Sequence, residues 1–367
     1  GAMKALSLGL SLGLGLAQRA ARKRAWPALS RHQGRRRRYS QISIPHGARV
    51  LALGDIHGDA EAFEALMVTA GLVDRSAPRG EGAWCAGQDI VVQVGDVLDR
   101  GIGEVHILRR ISQLRAEAEA AGGHFVQLAG NHELMNYRAD FRYVSGPWGD
   151  GFQVFDDALA PILDQDLPGW RAELEAKHAI PRYAQARAAA FFLDIAELHP
   201  EIRPFRQADS VAVVVGDSLF VHAGLFPAHL DFSQGKLEVL NDAVQQWVRS
   251  APHAPVPAVL GHPHGPLWTR KFGDDTFGVD TLRKLDEILK ALDCSRMVVG
   301  HTPQPLINGV ADGKLWRIDT GMSKYMGAGS VEAMEIAADG QVSILRHVDD
   351  GSVEAIPGVE RLIPFLE

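Results

Sequence analysis

The chain is short of cysteine, of long apolar runs and, over its first 49 residues, of acid. Only Cys85 and Cys294 occur among 367 residues. Two thiols exclude a disulfide scaffold and a cysteine-built zinc module, and read as ordinary, largely buried side chains. The longest apolar run, Leu6 to Ala17, is about 12 residues, where a membrane span needs roughly 20. There is no Walker A loop and no G-x-S-x-G elbow, which disfavours a P-loop NTPase and a serine hydrolase.

Charge is unevenly spread. Residues 1–49 hold 11 Lys and Arg and no Asp or Glu, so residues 50–367 carry 27 basic against 45 acidic groups, a net −18. So acidic a body argues against a general nucleic-acid or anionic-membrane binder. The leading stretch, rich in Arg, Ser, Ala and Leu, has the composition of an organelle transit peptide. Arg37-Arg38-Tyr39-Ser40 resembles a mitochondrial processing site cut after the tyrosine. The expected destination is a mitochondrion or chloroplast. A secretory or bipartite plastid route, or a solvated tail with no address, also fits. Residues 1–45 are therefore expected to be a targeting or disordered segment outside the core, and 356–367 a C-terminal tail.

From residue 50 the chain alternates strands and helices. Val50–Leu53, Ile90–Val94 and His124–Leu128 are short buried-type strands. Ala60–Gly71 and Val105–Ala121 have helical spacing. Strand, polar loop and helix in repetition mark parallel β-α-β units, whose ligands sit beyond the carboxyl ends of the strands. Arg171–Leu198 reads as two helices. The later runs 211–215, 219–222, 297–300, 315–318, 333–336 and 342–345 are spaced like hairpin and sandwich strands. One α/β/β/α sandwich domain over 46–355, with a helical insertion at about 134–205, accounts for the pattern.

Five polar loops follow apolar strands: Gly54-Asp-Ile-His-Gly-Asp59, Gly95-Asp-Val-Leu-Asp-Arg-Gly101, Gly130-Asn-His-Glu133, Val221-His-Ala-Gly224 and Gly300-His-Thr-Pro303. A single Gly-Asp after a strand is usually a turn or a helix cap. Five loops carrying Asp, Asn or His to one sheet edge are not explained as turns. Mixed oxygen and imidazole donors suit Mn, Fe or Zn better than Ca. About six such ligands with one shared carboxylate is the composition of a two-metal site. Two ions about 3.5–4 Å apart activate a shared water and stabilise an in-line displacement at phosphorus.

GDIHG, GDVLDRG and GNHE, in this order, resemble the signature loops of the PPP-type, calcineurin-like metallophosphoesterases. GNHELMNYRADFRYV and IDTGMSKY resemble the Shewanella-like protein phosphatases within them. The likeness spans about 49–350. It implies an α/β sandwich of two mixed β-sheets flanked by helices. Leu267-Trp-Thr-Arg270 and Asp319-Thr-Gly-Met322 stand where eukaryotic serine/threonine phosphatases carry other signatures, which implies insensitivity to their usual toxin inhibitors.

Carried over residue by residue, the resemblance implies one metal on Asp55, His57 and Asp96, and a second on Asp96, Asn131, His222 and His301. His132 would be the general acid, Asp99 its orienting carboxylate, and Arg100 the phosphate clamp; Arg270 is the candidate for a second phosphate arginine. Glu133 is expected to hold its loop rather than react. His262 and His264 are expected in a loop at the site mouth. Tyr137, Phe141, Arg142 and Tyr143 shape the cleft wall or merely pack, and Asp319 and Tyr325 sit in a late loop that contacts the site or does not. The segment 184–207, without the Pro-Gly-Gly turn of the family, is expected to overlie the cleft. A C-x5-R nucleophile is excluded, because the arginine positions are Val91 and Gly300.

The implied activity is metal-dependent hydrolysis of phosphoserine and phosphothreonine in phosphorylated proteins, with Mn, Fe or Zn. Alternatives are dinucleoside polyphosphates, phosphotyrosine, and a scaffold that binds phosphoproteins without turning them over.

Overall fold

The computed structural model describes residues 40–145, 150–192, 210–250, 255–274 and 277–364. The chain divides after position 37, and every described residue belongs to the second unit. Two six-stranded sheets dominate it. The first runs β12 (Val353–Pro357), β11 (Val342–His347), β10 (Glu332–Ile336), β2 (Val50–Leu53), β3 (Ile90–Gln93), β4 (His124–Gln127). The second runs β1 (Gln41–Ile42), β5 (Ala212–Val215), β6 (Ser218–Val221), β7 (Arg296–Val299), β9 (Leu315–Arg317), β8 (Asn308–Val310). Both are mixed: β2, β3 and β4 are parallel, as are β6, β7 and β9, while β10, β11 and β12 are antiparallel.

Alternation along the strands builds two cores. Val50, Ala52, Ile90 and Val92 face Val213, Phe220 and Val298 between the sheets. Their neighbours Leu51, Leu53 and Val91 face outward onto α1 (Ala60–Thr69) and α2 (Glu104–Ala120), against Phe63, Leu66 and Ile111. With both faces covered, every residue of β2 and β3 is buried. That is why these strands read as unbroken apolar runs.

Register sets up the site. Leu53 pairs with Gln93, and Gln93 with Gln127, so three strands end in line and their loops emerge side by side. In the second sheet Phe220 pairs with Val298, and Val299 with Arg317, which aligns the loops carrying His222, His301 and Asp319.

The remaining helices are α3 (Asn131–Asn136), α4 (Asp150–Asp166), α5 (Trp170–His178), α6 (Gln185–Phe192), α7 (Pro227–Phe232), α8 (Leu237–Ser250), α9 (Ala258–Gly261) and α10 (Val279–Ala291). No helix among the described residues is long and apolar enough to cross a membrane.

Several expectations change. The body begins before residue 46: β1 pairs in parallel with β5, Ser40 is buried, and Ile42 joins the inter-sheet core. Polar flanks hide a two-residue strand that gains its partner only on folding. The stretch 356–367 is no loose tail either. Ile356 lies in β12, Leu362 bridges to Gly309, and Arg361 donates to buried Glu332 at 2.9 Å. Of the insertion, α4 to α6 occupy 150–192, while 193–205 lies outside the described residues. α5 starts one residue earlier than expected, at Trp170. Of the segment expected over the cleft, α6 packs into the core, and 193–207 lies outside the described residues. Gln185 to Phe191 are all buried, because Ala186, Ala188, Ala189 and Ala190 let the helix pack closely. Cys85 is exposed and Cys294 half-buried, not the core thiols expected.

Candidate active site

The site lies at the carboxyl ends of the central strands. Gly54 leaves β2 where a Cβ would meet the carbonyl of Ile318, so glycine lets β2 and β9 end against one another. Backbone bonds then lock two loops: Ile56 and His57 both donate N–H to Asp96 O at 3.0 Å, and Gly58 to Val97 O at 2.9 Å. Asp59 caps α1 by accepting from Glu61 and Ala62 N–H at 3.1 Å, and takes Lys324 N–H at 2.8 Å. The late loop is thereby pinned to the first one.

Asp96 is the centre. Its Oδ2 stands 3.4 Å from His222 Nε2, 3.8 Å from His57 Nε2 and 3.9 Å from His132 Nε2. Its Oδ1 accepts the His132 N–H at 3.0 Å. Gly130 is required here, since a Cβ would strike that carboxylate. Two sets of donor atoms lie within 4.8 Å of one another: His57, Asp96 and His132, and Asp96, His222 and His301. Asn131 joins the second through Oδ1, 3.1 Å from His222 Nε2. Asp55 is in neither triad and accepts the His301 N–H at 3.1 Å.

Backbone carbonyls orient the imidazoles. His57 Nδ1 is 3.1 Å from Leu98 O, His222 Nδ1 3.0 Å from Val94 O, and His301 Nε2 3.1 Å from Trp268 O. Five site residues hold positive φ without being glycine: His57, Asp96, Asp99, Arg100 and His301. Such strain collects where function needs it.

Glu133 does hold its loop. It accepts N–H bonds from Gly130, Asp96, Val97 and Leu98 at 2.8–3.1 Å. His132 Nδ1 pairs with Asp99 Oδ2 at 2.7 Å. Burial would lower this imidazole, but Asp96 and Asp99 outweigh it and raise it to about 8. Burial lowers His57 to about 4, and burial with His222 lowers His301 to about 3. Burial is likewise the main cause holding Asp319 up at about 6; it also lifts Asp55 well above the carboxylate range, with Asp319 and Asp96 adding to it.

This donor set fits two cations. Neutral His57 and His301 are in the ligating form. Four buried carboxylates, Asp55, Asp96, Asp319 and Glu133, crowd one another, as the raised Asp55 records. His222 is drawn upward by Asp96 against its burial, a pull that a cation on Asp96 would cancel.

Arg100 lies with its guanidinium carbon 4.4 Å from the Tyr143 ring centre, and its buried Nε has no partner among the described residues. Tyr143 also packs 5.1 Å from the His132 ring. Arg270 is exposed at the rim and donates to His301 O at 3.2 Å. Tyr137 and Phe141 pack on Phe191 and Phe152, and Arg142 pairs with Asp140 in solvent. Of those four wall candidates only Tyr143 reaches the site. His262 and His264 are exposed and line a separate groove of about 880 Å³ with Phe226 and Phe232. The sequence reading missed Arg187, Asn136 and Glu104, which stand behind Asp99. One signal was available: an arginine in an alanine-rich apolar helix is buried only when paired.

A two-layer sandwich delivering Asp, His and Asn from both sheets to one carboxylate defines a dimetal phosphoesterase. The calcineurin-like phosphoesterase model matches residues 48–305, and the chain belongs to that family of metal-dependent hydrolases. It is similar to Shewanella-like protein phosphatase 2 of Arabidopsis thaliana, 36% identical over 309 residues, 81% of this chain and 77% of that one. That places it among the Shewanella-like phosphatases. Shewanella-like protein phosphatase 1 of Plasmodium berghei is 24% identical over 304 residues, covering 78% and 70%. A cold-active protein-tyrosine phosphatase of a psychrophilic Shewanella shares the fold, with a TM-score of 0.63 and 23% identity, covering 86% of this chain and 82% of that one.

Proposed function

We propose that this phosphatase acts on phosphorylated proteins and removes phosphate from serine and threonine. One observation carries the reading: an imidazole oriented by a carboxylate beside a dimetal cradle. His132 spends Nδ1 on Asp99 and keeps Nε2 toward Asp96. With Nδ1 committed to Asp99, His132 keeps one ring nitrogen for a departing oxygen and acts as the acid rather than as a metal ligand. Asp55, His57 and Asp96 would hold one ion; Asp96, Asn131, His222 and His301 the other. Mn, Fe or Zn suits these donors. The two ions supply an activated water and neutralise phosphate charge. Arg100, its guanidinium beside Tyr143, binds phosphate oxygens, Arg270 steadies the phosphate from the rim, and His132 gives its proton to the departing oxygen.

A second reading, phosphotyrosine hydrolysis, has its own support. Tyr143 is half-exposed beside His132 and Arg100 and offers an aryl wall, and the Shewanella protein of like fold is named a tyrosine phosphatase. Phosphate release from phosphoserine, phosphothreonine and phosphotyrosine peptides and from diadenosine tetraphosphate, with each metal, separates the readings. Faster serine and threonine turnover supports the first. Faster tyrosine turnover replaces it with the second, and faster nucleotide turnover replaces both. Metal uptake without any release returns the scaffold.

The acid-free leader supports import into a mitochondrion or chloroplast. Imaging a fusion with the intact leader tests this, and a cytosolic signal counts against it.

A further inference from the structure

Arg187 lies on α6, and its side chain is 0% exposed. All five of its N–H groups are used. Nε donates to Asn136 Oδ1 at 2.8 Å. Nη1 donates to Glu104 Oε2 at 2.6 Å and to Gly151 O at 3.2 Å. Nη2 donates to Glu104 Oε1 at 2.7 Å and to Asp99 Oδ1 at 2.8 Å. The guanidinium carbon also sits 4.6 Å from the ring centre of Phe155 on α4. Burying this cation is costly, and two carboxylates with saturated hydrogen bonds offset the cost.

The partners of this arginine are not scattered. Asp99 has two oxygens. Oδ2 meets His132, while Oδ1 is held by Arg187 and by Asn136 Nδ2 at 3.0 Å. Glu104 accepts the Asp99 N–H at 2.6 Å and so fixes a backbone at φ 69°. Without Arg187, Oδ1 keeps only the amide, and the carboxylate is free to turn away from the imidazole.

We propose that Arg187 is a positioning residue: from the helical insertion it clamps Asp99 and thereby keeps His132 aimed at the departing oxygen. The inference rests on the acid role given to His132 above. It makes the insertion part of the catalytic apparatus without touching substrate.

The test compares kcat/KM across aryl monophosphates, from 4-nitrophenyl phosphate, whose phenolate leaves unaided, to 4-methoxyphenyl phosphate, whose phenolate needs a proton. The full metal-loaded chain is used, as wild type, His132→Gln, Arg187→Gln and Arg187→Lys, with metal content and circular dichroism recorded. We expect His132→Gln to lose roughly 10²–10⁴-fold on the poor leaving group and far less on the good one. Arg187→Gln should keep its metals and lose about 10-fold more on the poor leaving group than on the good one, with the loss in kcat and Arg187→Lys recovering part of it. Equal losses at both ends of the series, or a change in KM alone, overturn the proposal while the His132→Gln contrast stands. A flat His132→Gln series overturns the acid role itself, and the proposal falls with it. If the Arg187 variants do not fold, Glu104→Gln, close in volume, is read by the same ratio.

Discussion

The two sheets supply the site in different ways. The first sends three consecutive loops, 54–59, 95–101 and 130–133, tied to one another by backbone bonds and by the four N–H groups that Glu133 accepts. The second sends single side chains, His222, His301 and Asp319, each from its own strand end and each oriented separately. The first half is a mutually braced unit. The second is a set of independent donors. Damage should therefore spread through the first half and stay local in the second.

Asp96 belongs to the first half yet faces donors from both. Asp96→Asn keeps an acceptor for the His132 N–H but removes the shared charge. Phosphatase activity should fall by at least about 10²-fold, with circular dichroism unchanged. Substantial turnover of a metal-free Asp96→Asn protein ends the dimetal reading. His132→Gln comes next, at roughly 10²–10⁴-fold in kcat; a small, uniform loss would leave the acid unassigned.

The bracing itself is tested by Glu133→Gln, which replaces two accepting oxygens by one. A loss of about 2–4 kcal/mol is expected in denaturant unfolding. No single donor change in the second sheet, such as His301→Gln, should cost as much in the metal-free protein. Equal costs would erase the distinction. The two arginines extend the contrast: Arg100→Ala, from the braced loop, should reduce kcat/KM by about 10²-fold, and exposed Arg270→Ala by less than about 10-fold.

The smallest effect concerns Asp319. Its folded carboxyl titrates at about 6 against an ordinary 3.8. The folded, metal-free chain therefore binds a proton that the unfolded chain has already released, and stability falls as pH rises from 3.8 to about 6. Asp319→Asn should gain on wild type over that window in chelated thermal melts. A constant difference would place Asp319 outside the buried charge cluster. A further outcome concerns the −18 body: basic or neutral peptides should be turned over faster than acidic ones.

Legibility followed the same division. The braced loops were visible because their residues are neighbours in sequence: Asp55 with His57, Asp96 with Asp99 and Arg100, Asn131 with His132 and Glu133. His222 and His301 were found through their strand ends and the family resemblance. Arg187 was not found, because its partners lie 36 to 88 positions away and its one local sign, an arginine among alanines, does not say what it pairs with. The boundaries at 45 and 356 slipped for the same reason, since β1 and the last turn are ordered by distant strands.

The sandwich, the loop chemistry and the family likeness are written locally in the chain. Apolar strand runs and glycine-polar loops are local features that physical chemistry reads directly. Folding alone set which carboxylate stands at the centre, which imidazole a carboxylate orients and what stands behind Asp99. Those depend on burial and on contacts between elements far apart in the chain, and a charge's energy is set by its surroundings rather than by its neighbours in sequence.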